Sequence, residues 1–478
     1  MTILIKSEPV PATSARPVLA MVALSLCMLL SSLSTSIANV ALPNLAATFE
    51  ASFQSVQWVV LGYLLGVTTL IVSVGRLGDL VGRRRLLVAG VALFTAASIG
   101  CGLSADLGVL IACRVAQGLG AAVMMALTMA FVGEIAPRDR VGRAMGLLGT
   151  MSAVGTAMGP TLGGLIIGGF GWRAVFFIPA LLGLVAIALT ATALPAQAPR
   201  LRSARTGFDW TGTAALAAGL TAYALAMTIE KGAAGPLSAG MLAAAAVLGA
   251  VFVLVERRAP SPLVRLEMFR DPILAAGLGT SLLVSSVVMS TLVVGPFYLA
   301  HALALSPAQV GLAMSAGPVM AAVCGFPAGR AVDRFGARAV AIAGLVAVVI
   351  GALALALGAG VLGLPGYVGA VVVMTGGYAM SQTANNTGVM KEVAADRRGV
   401  VSGLLSLSRN LGLITGASAM GAVFAVGAGT AAIQAATAEQ LAGGLAATFF
   451  VAATLAAAAL LITLTVRSGA AQLLGDRP

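Results

Sequence analysis

The chain has 478 residues, of which 59% are hydrophobic and only 9% are charged, and its mean hydropathy is +1.03. Soluble domains are about half apolar and about a quarter charged, so the composition excludes a water-soluble globule and predicts an integral membrane protein. The net charge of +12 would suit a nucleic-acid partner, but the basic residues form short clusters between apolar segments, so we expect no nucleic-acid binding.

Polytopic helices are the predicted architecture, because a chain needs about 20 apolar residues to cross the hydrocarbon core as a helix. The apolar segments are continuous rather than alternating, which favours helices over a barrel. Fourteen windows meet the requirement, and we predict transmembrane helices at residues 18–40, 55–75, 86–104, 107–133, 143–168, 172–194, 209–229, 236–256, 272–300, 306–328, 338–360, 365–388, 401–427 and 440–465.

The distribution of basic residues predicts the orientation. If the N-terminus is cytoplasmic, nearly all of the 28 lysines and arginines fall in inner tails and loops, and the outer loops contain only Arg173 and Lys231. Positive charge marks the inner side of a membrane protein. We therefore predict a multi-pass protein of a bacterial inner membrane with both termini in the cytoplasm.

Two proline- and arginine-containing linkers divide the predicted helices. The first is 195–208 and the second is 256–272, and the seventh and eighth helices lie between them. We therefore predict five regions in chain order: a cytoplasmic tail (residues 1–17), a six-helix half (18–194), an inserted segment of linkers plus two helices (195–271), a second six-helix half (272–466) and a second cytoplasmic tail (467–478).

A charged stretch, Gly75–Arg85, separates the second and third predicted helices, and a weaker copy occurs at Gly329–Arg338. We interpret both as charged hairpin loops. One constant spacing, which we call the first repeat offset, relates Gly75, Arg76, Asp79, Gly82 and Arg84 to Gly329, Arg330, Asp333, Gly336 and Arg338. A slightly larger spacing, the second repeat offset, relates Gly155 and Gly159 to Gly412 and Gly416. Two repeat signals in different helices predict a duplicated membrane protein.

The fourth predicted helix contains Arg114, Gln117 and Gly118, whose spacing places them on one helix face. An arginine inside a span costs about 2.5–3.5 kcal/mol on the insertion scale, so this face should contact protein or water. In the fifth helix, small residues recur every four positions beside a proline that bends the helix, and the set is Gly155, Gly159, Pro160, Gly163 and Gly164.

These motifs, in this order, resemble the major facilitator superfamily, in particular its fourteen-helix drug:proton antiporter branch, and the resemblance covers about residues 18–466. It implies an all-α major facilitator fold with two pseudo-symmetric six-helix halves and two inserted helices. It also implies a conformational latch formed by Gly75, Asp79, Gly82, Arg83 and Arg84, with Asp333 and Arg334 in the second copy. The alternative is that this cluster only sets topology through its positive charge.

The resemblance implies a role for Arg114, Gln117 and Gly118 in proton transfer or in shaping the cavity, whereas an interhelical hydrogen bond is the alternative. The glycine and proline stripe of the fifth helix resembles a motif associated with exporters, and generic helix packing is its alternative. Further polar residues within spans that we consider for the cavity are Asn39, Asn385 and Arg409.

The chain departs from the family pattern at Ser34, where the fourteen-helix branch usually has an aspartate. A membrane-embedded carboxylate is the usual carrier of the coupling proton and the usual partner of cationic drugs. Arg114 and Arg409 lie within spans with no acid to replace it, so we expect a neutral or anionic amphipathic substrate rather than a dication.

We therefore expect a secondary active exporter of drugs or amphipathic small molecules that works by proton antiport and alternating access. An uptake permease or uncoupled uniporter of the same fold stays open as the alternative because of Ser34. The expected partners are an amphipathic small molecule, protons and the lipid bilayer, and we expect a monomer.

Catalytic and metal-binding signatures are lacking in the sequence. It has no Gly-x-x-x-x-Gly-Lys-Ser/Thr loop, and Cys27, Cys101, Cys113 and Cys324 form no CxxC pair. We therefore expect no enzymatic activity, no metal and no cofactor, with the proton gradient as the energy source.

Overall fold

The computed structural model describes residues 17–71, 73–135, 141–195, 209–229, 235–259, 266–393, 398–430 and 433–465, and this part of the chain contains helices and no β-strand. A helix satisfies every backbone hydrogen bond within its own segment, which the bilayer interior requires. The α-helices are α1 (Pro17–Thr48), α2 (Phe53–Ile71), α3 (Val74–Val81), α4 (Arg83–Leu103), α5 (Leu107–Ile135), α6 (Val141–Phe170), α7 (Ala174–Ala193), α8 (Trp210–Thr228), α9 (Pro236–Arg258), α10 (Pro272–Phe297), α11 (Pro307–Phe335), α12 (Ala337–Glu392), α13 (Arg398–Gly427) and α14 (Ala438–Thr465).

The long helices agree with the predicted spans. In the described residues, 13 helical segments are long and apolar enough to cross a membrane. The remaining predicted span corresponds to α8, whose 19 residues include several threonines. The eleventh and twelfth predicted spans are the two parts of α12, which are separated at Gly363, where φ is 59° and ψ is −136°. The all-helical membrane fold is confirmed.

The helix ends define two faces of the bundle. We call the face on which α1 begins and α14 ends the terminal face. Arg338, at the start of α12, donates a hydrogen bond of 2.7 Å to the carbonyl of Leu464 near the end of α14, so the junction of α11 and α12 lies on this face. On the opposite face, the rings of Phe49 and Trp172 meet edge to face with centroids 5.4 Å apart.

The two charged stretches are not loops, and in this respect the sequence interpretation was wrong. Helix α3 covers most of the first stretch, and α11 continues through most of the second. Each stretch is interrupted by one glycine with positive φ, at 98° for Gly82 and 84° for Gly336. A residue with a side chain is strained there, so the repeat keeps its glycines where one helix stops and the next begins.

The repeat extends to the way helices pack. A Cβ atom on Gly155 of α6 would overlap the backbone carbonyl of Leu29 in α1, and a Cβ atom on Gly412 of α13 would overlap that of Leu282 in α10. The two glycines are related by the second repeat offset, and the two leucines are related by a nearly equal spacing. Helices can approach this closely only where a small residue lies between their backbones.

A second pair of glycine contacts obeys the same relation. Gly90 and Gly120 bring the backbones of α4 and α5 together, and Gly344 and Gly377 do the same for the two parts of α12. Gly90 corresponds to Gly344 at the first repeat offset, and Gly120 corresponds to Gly377 at the second. This pair was not recognised from the sequence, although the two offsets would have found it.

The inserted pair, α8 and α9, packs beside the bundle. Trp58 of α2 donates a hydrogen bond of 3.1 Å to the Thr228 hydroxyl of α8, and the hydroxyls of Ser73 and Thr213 are 3.3 Å apart. Most of α9 is exposed. An apolar helix with so much exposed surface suits contact with lipid.

On the opposite face, helices that precede the inserted pair contact helices that follow it. The Phe53 ring of α2 meets Phe297 of α10 at 4.6 Å and Phe424 of α13 at 5.5 Å between centroids. All three side chains are buried. Nearby, Gly164 of α6 packs directly against Gly311 of α11. The bundle is therefore closed on this face.

Candidate functional site

Arg114 of α5 is the largest side chain that the described part of the chain buries completely, with 1% of its surface exposed. Its Nε donates to the Val59 carbonyl of α2 at 2.8 Å, and its Nη1 donates to the Ser34 carbonyl of α1 at 3.2 Å. The guanidinium carbon lies 4.4 Å from the centre of the Tyr63 ring, a cation–π contact that stabilises a desolvated cation. Arg114 therefore joins three helices.

Gln117 extends this network along α5. Its Oε1 accepts a hydrogen bond from Arg114 Nη1, and its Nε2 donates to the Ser98 hydroxyl of α4 at 2.7 Å. One turn of α5 therefore links α4 to α1 through the side chains of Arg114 and Gln117. Gly118 has a packing role, because a Cβ atom there would overlap the carbonyl of Tyr63. The structure brings these three predicted residues together.

The Arg114 guanidinium has no carboxylate partner within the described part of the chain. Its Nη2 is buried and makes no hydrogen bond, and neither does the buried hydroxyl of Ser34. A buried cation without a counter-charge is costly in a medium of low dielectric constant. Ser34, the position at which the resemblance implies an acid, thus lies beside an arginine that has no described carboxylate partner.

The stripe of α6 faces two neighbours. Gly155 and Gly159 pack against α1, where Cβ atoms would overlap the Leu29 carbonyl and the Ser36 hydroxyl. Gly163 continues this contact at Ile37 of α1, and Gly164 faces α11. Pro160 is buried within α6. The predicted motif is therefore the surface on which α6 touches both α1 and α11.

The charged stretches make matching contacts on the terminal face. Arg84 at the start of α4 donates to the Ala191 carbonyl near the end of α7, just as Arg338 donates to Leu464. Gly78 of α3 packs against Leu127 of α5 and Arg83 of α4. The charged stretch is thus tied to helices of its own half.

Other predicted latch residues are more open. Gly75, Asp333 and Arg334 are exposed, and the Arg334 guanidinium lies 5.2 Å from the centre of the Phe335 ring. The side chain of Asp79 lies outside the described set. These residues are on the terminal face, away from the Arg114 network.

A cavity of ≈ 80 Å³, which we call the central cavity, lies between α6, α10, α11 and the second part of α12. Hydroxyl groups and apolar side chains line it, and none of its described lining residues is charged. The polar members are Thr156, Thr291, Tyr367, Thr375 and Tyr378. Val371, which corresponds to Arg114 at the second repeat offset, also lines it.

The remaining candidate residues are dispersed. Asn39 is buried in α1 and donates to the Thr35 carbonyl at 3.1 Å. Asn385 of α12 donates to the Gly277 carbonyl of α10 at 2.9 Å. Arg409 of α13 is half-buried, and its Nε makes no hydrogen bond. None of the three lines the central cavity.

Glu256 was not recognised from the sequence, where it was assigned to a basic inner loop. This side chain belongs to the last turn of α9 and is 3% exposed. A Cβ atom on Gly212 would lie 2.7 Å from Glu256 Oε1 and 2.5 Å from Asp209 Oδ2, so the two carboxyl groups approach the same point. An acid at the end of an apolar span was the available signal.

Comparison with known proteins agrees with this architecture. The family model of the Major Facilitator Superfamily matches residues 24–417 and 285–473. The multidrug resistance protein Stp of Mycobacterium tuberculosis is 33% identical over 85% of this chain and 76% of its own length. The drug efflux pump JefA of the same species is 35% identical over 83% and 78%, respectively.

Relatives with other substrates are also similar. The riboflavin transporter RibZ of Clostridioides difficile is 30% identical over 83% of this chain and 86% of its own length. Among solved structures, a bacterial homologue of the human lysosomal transporter Spinster, in an inward-facing and unoccupied conformation, has a TM-score of 0.69 at 17% identity and covers 95% of this chain and 98% of its own. This chain belongs to the major facilitator superfamily of membrane transporters.

Proposed function

We propose that this transporter exports neutral or anionic amphipathic small molecules in exchange for protons, by alternating access. Two relatives that share about a third of its residues over most of its length are named as a multidrug resistance protein and a drug efflux pump. The glycine and proline stripe of α6 resembles a motif associated with exporters, which favours the same direction of transport, and its glycines form the α6 surface that touches α1 and α11. The terminal face is the cytoplasmic one in this proposal, as the distribution of basic residues predicts.

Alternating access is supported by where the two halves meet. The aromatic contact of Phe53 with Phe297 and Phe424, together with the Gly164–Gly311 contact, closes the face opposite the termini. Helix α3 packs on α2, α4 and α5, which belong to its own half. Rocking the halves about the central cavity would separate the aromatic contact and bring the terminal ends together.

The observation that carries the substrate class is the unpaired charge of Arg114. With Ser34 in place of an acid, no described carboxylate faces this guanidinium. The central cavity has hydroxyl groups and no charged residue in its described lining. A dicationic drug would meet repulsion and no counter-charge, whereas a neutral or anionic amphipath can use the hydroxyls and the positive potential.

A second candidate is an uptake permease or uniporter of the same fold, and one relative is named as a riboflavin transporter rather than as a drug efflux pump. Loss of the usual acid at Ser34 removes the expected proton carrier. The coupling of transport to protons therefore requires a direct test.

Everted membrane vesicles with an acidic lumen provide that test. Neutral, anionic and dicationic compounds are added singly, and proton release from the lumen is measured with a pH-sensitive dye. The measurement compares the unaltered protein with the Arg114→Ala variant and with the surface control Arg258→Gln. We expect proton release with neutral or anionic compounds, its loss in Arg114→Ala and its retention in the control. Equilibration of labelled compound without proton release would instead establish a uniporter, and a response restricted to dications would refute the substrate class.

A further inference from the structure

A second and larger cavity of ≈ 560 Å³ opens at the terminal face, away from the central cavity. It lies between the start of α10, the junction of α11 and α12, the end of α12 and the end of α14, and we call it the junction pocket. Its volume falls within the range of about 300–1,000 Å³ that is typical of small-molecule sites.

The junction pocket is amphipathic. Its walls are mainly apolar, with Ile273, Ile342 and Val389 among them, whereas Arg338 and Lys391 stand at its exposed end. Its described lining contains no acidic residue. Two cations above an apolar recess match a molecule with an anionic head and a hydrocarbon tail.

The pseudo-symmetry of the fold shows which residues create this space. At the second repeat offset, Ala384 and Gly388 correspond to Leu127 and Phe131 in the first half. Both of these larger side chains are fully buried, so they occupy the equivalent volume. A Cβ atom on Gly388 would make only ordinary contact, at 3.4 Å from the Ala337 Cβ, so the space beside this glycine is open.

The charge differs between the halves in the same way. Lys391 corresponds to Glu134, so a cation in the second half stands where the first half has an acid. The hydrogen bond from Arg338 to the Leu464 carbonyl holds that guanidinium at the pocket. The first half keeps Arg84 at the position equivalent to Arg338, but its equivalent space is filled and it has an acid in place of Lys391. Open space and a pair of basic residues therefore occur together in the second half and not in the first.

We propose that the junction pocket binds an anionic phospholipid from the leaflet at the terminal face, with its phosphate between Arg338 and Lys391 and an acyl chain along the apolar wall. Phosphate binds guanidinium and ammonium groups through charge-assisted hydrogen bonds. Basic pockets between transmembrane helices on the cytoplasmic side are suited to anionic lipid headgroups. The junction pocket is separate from the central cavity, with which it shares no described lining residue.

Photolabelling of the purified full-length protein tests this proposal. A phosphatidylglycerol that carries a photoreactive group in its acyl chain is added in detergent, and labelled peptides are mapped by mass spectrometry. We expect label on residues 273–280 and 384–391, displaced by unlabelled dihexanoyl phosphatidylglycerol but not by dihexanoyl phosphatidylcholine or by inorganic phosphate at the same concentration.

Two sets of variants test separately the charge of Lys391 and the open space beside Gly388. Lys391→Glu should weaken displacement by phosphatidylglycerol at least about fivefold, whereas Lys391→Arg and the charge-reversal control Arg258→Glu should change it by less than about twofold. Gly388→Phe, which copies Phe131, should abolish the label in both segments, and a monodisperse gel-filtration profile confirms that it folds. Three results would each overturn the proposal: equal displacement by phosphatidylcholine or by phosphate, unchanged displacement by phosphatidylglycerol in Lys391→Glu, or unchanged labelling in Gly388→Phe.

Discussion

Replacing Arg114 with methionine tests whether its positive charge is needed for transport or whether the side chain only holds α1, α2 and α5 together. The substitution removes hydrogen bonds to the carbonyls of Val59 and Ser34 and leaves the buried Oε1 of Gln117 without its donor. The two carbonyls belong to helices, whose backbone bonds persist. Orphaning the Gln117 oxygen costs about 1–3 kcal/mol, whereas replacing a buried charge that lacks a counter-charge with an apolar side chain can stabilise the fold by about 1–4 kcal/mol.

These opposing terms predict a small net change for Arg114→Met in the free energy of unfolding. Adding Gln117→Leu removes the orphaned oxygen, so the double variant should be about 1–3 kcal/mol more stable than the single variant. Replacing buried charged groups with apolar ones is often neutral or stabilising. Transport per folded molecule should nevertheless fall at least tenfold in both, because the fixed positive charge is lost.

Reversible unfolding in mixed micelles of dodecyl sulfate and a mild detergent measures stability, and proteoliposomes measure transport. Arg114→Lys serves as the matched control, since it keeps the charge but loses the planar donor geometry. A functional role for the cation is refuted if both methionine variants lose more than about 3 kcal/mol of stability and yet transport at the normal rate. Arg114 would then hold α1, α2 and α5 together and do nothing else.

Two further predictions concern the junction glycine and the missing acid. Gly336→Ala should lower the free energy of unfolding by about 1–2 kcal/mol, because φ is 84° at this position. Gly329→Ala, at a helical glycine with open space around its Cβ position, should leave stability unchanged or raise it by up to about 1 kcal/mol. Unfolding in mixed micelles compares the two variants, and equal losses of stability would contradict the prediction. Ser34→Asp should place a carboxylate beside Arg114, where an ion pair offsets the cost of its burial. We expect export of a dicationic dye to rise by about tenfold in vesicles, and unchanged dye export would count against a counter-charge role for this position.

The spans were predicted well from the sequence because an apolar segment of sufficient length has one stable solution in a bilayer. Prediction failed at the charged stretches, because the sequence predicts loops around Gly82 and Gly336 where the structure has helices. A cluster of charged residues and glycines usually indicates a loop exposed to water. In both charged stretches, however, a single glycine with positive φ separates two helices. Local composition could not distinguish a single-residue break from a longer loop.

Site residues were predictable where the spacing alone defines a helix face. Arg114, Gln117 and Gly118 do lie together, as their spacing indicated. The carbonyl partners of Arg114 could not be predicted, because they depend on how three helices pack. Glu256 was missed for the same reason, since its burial arises from the packing of α9 beside Gly212 and Asp209.

Divergence of the two halves explains why both cavities lie largely in the second. The halves keep the same glycine contacts between backbones, such as Gly155 with Leu29 and Gly412 with Leu282. These close backbone approaches are therefore present in both halves, whereas the volume and charge of the side chains around them differ. Arg114 adds charge to the first half where Val371 borders the central cavity, and Phe131 fills the volume that Gly388 leaves open. Substitutions that fill these cavities in the second half should therefore alter ligand binding, whereas equivalent changes in the first half should mainly alter stability.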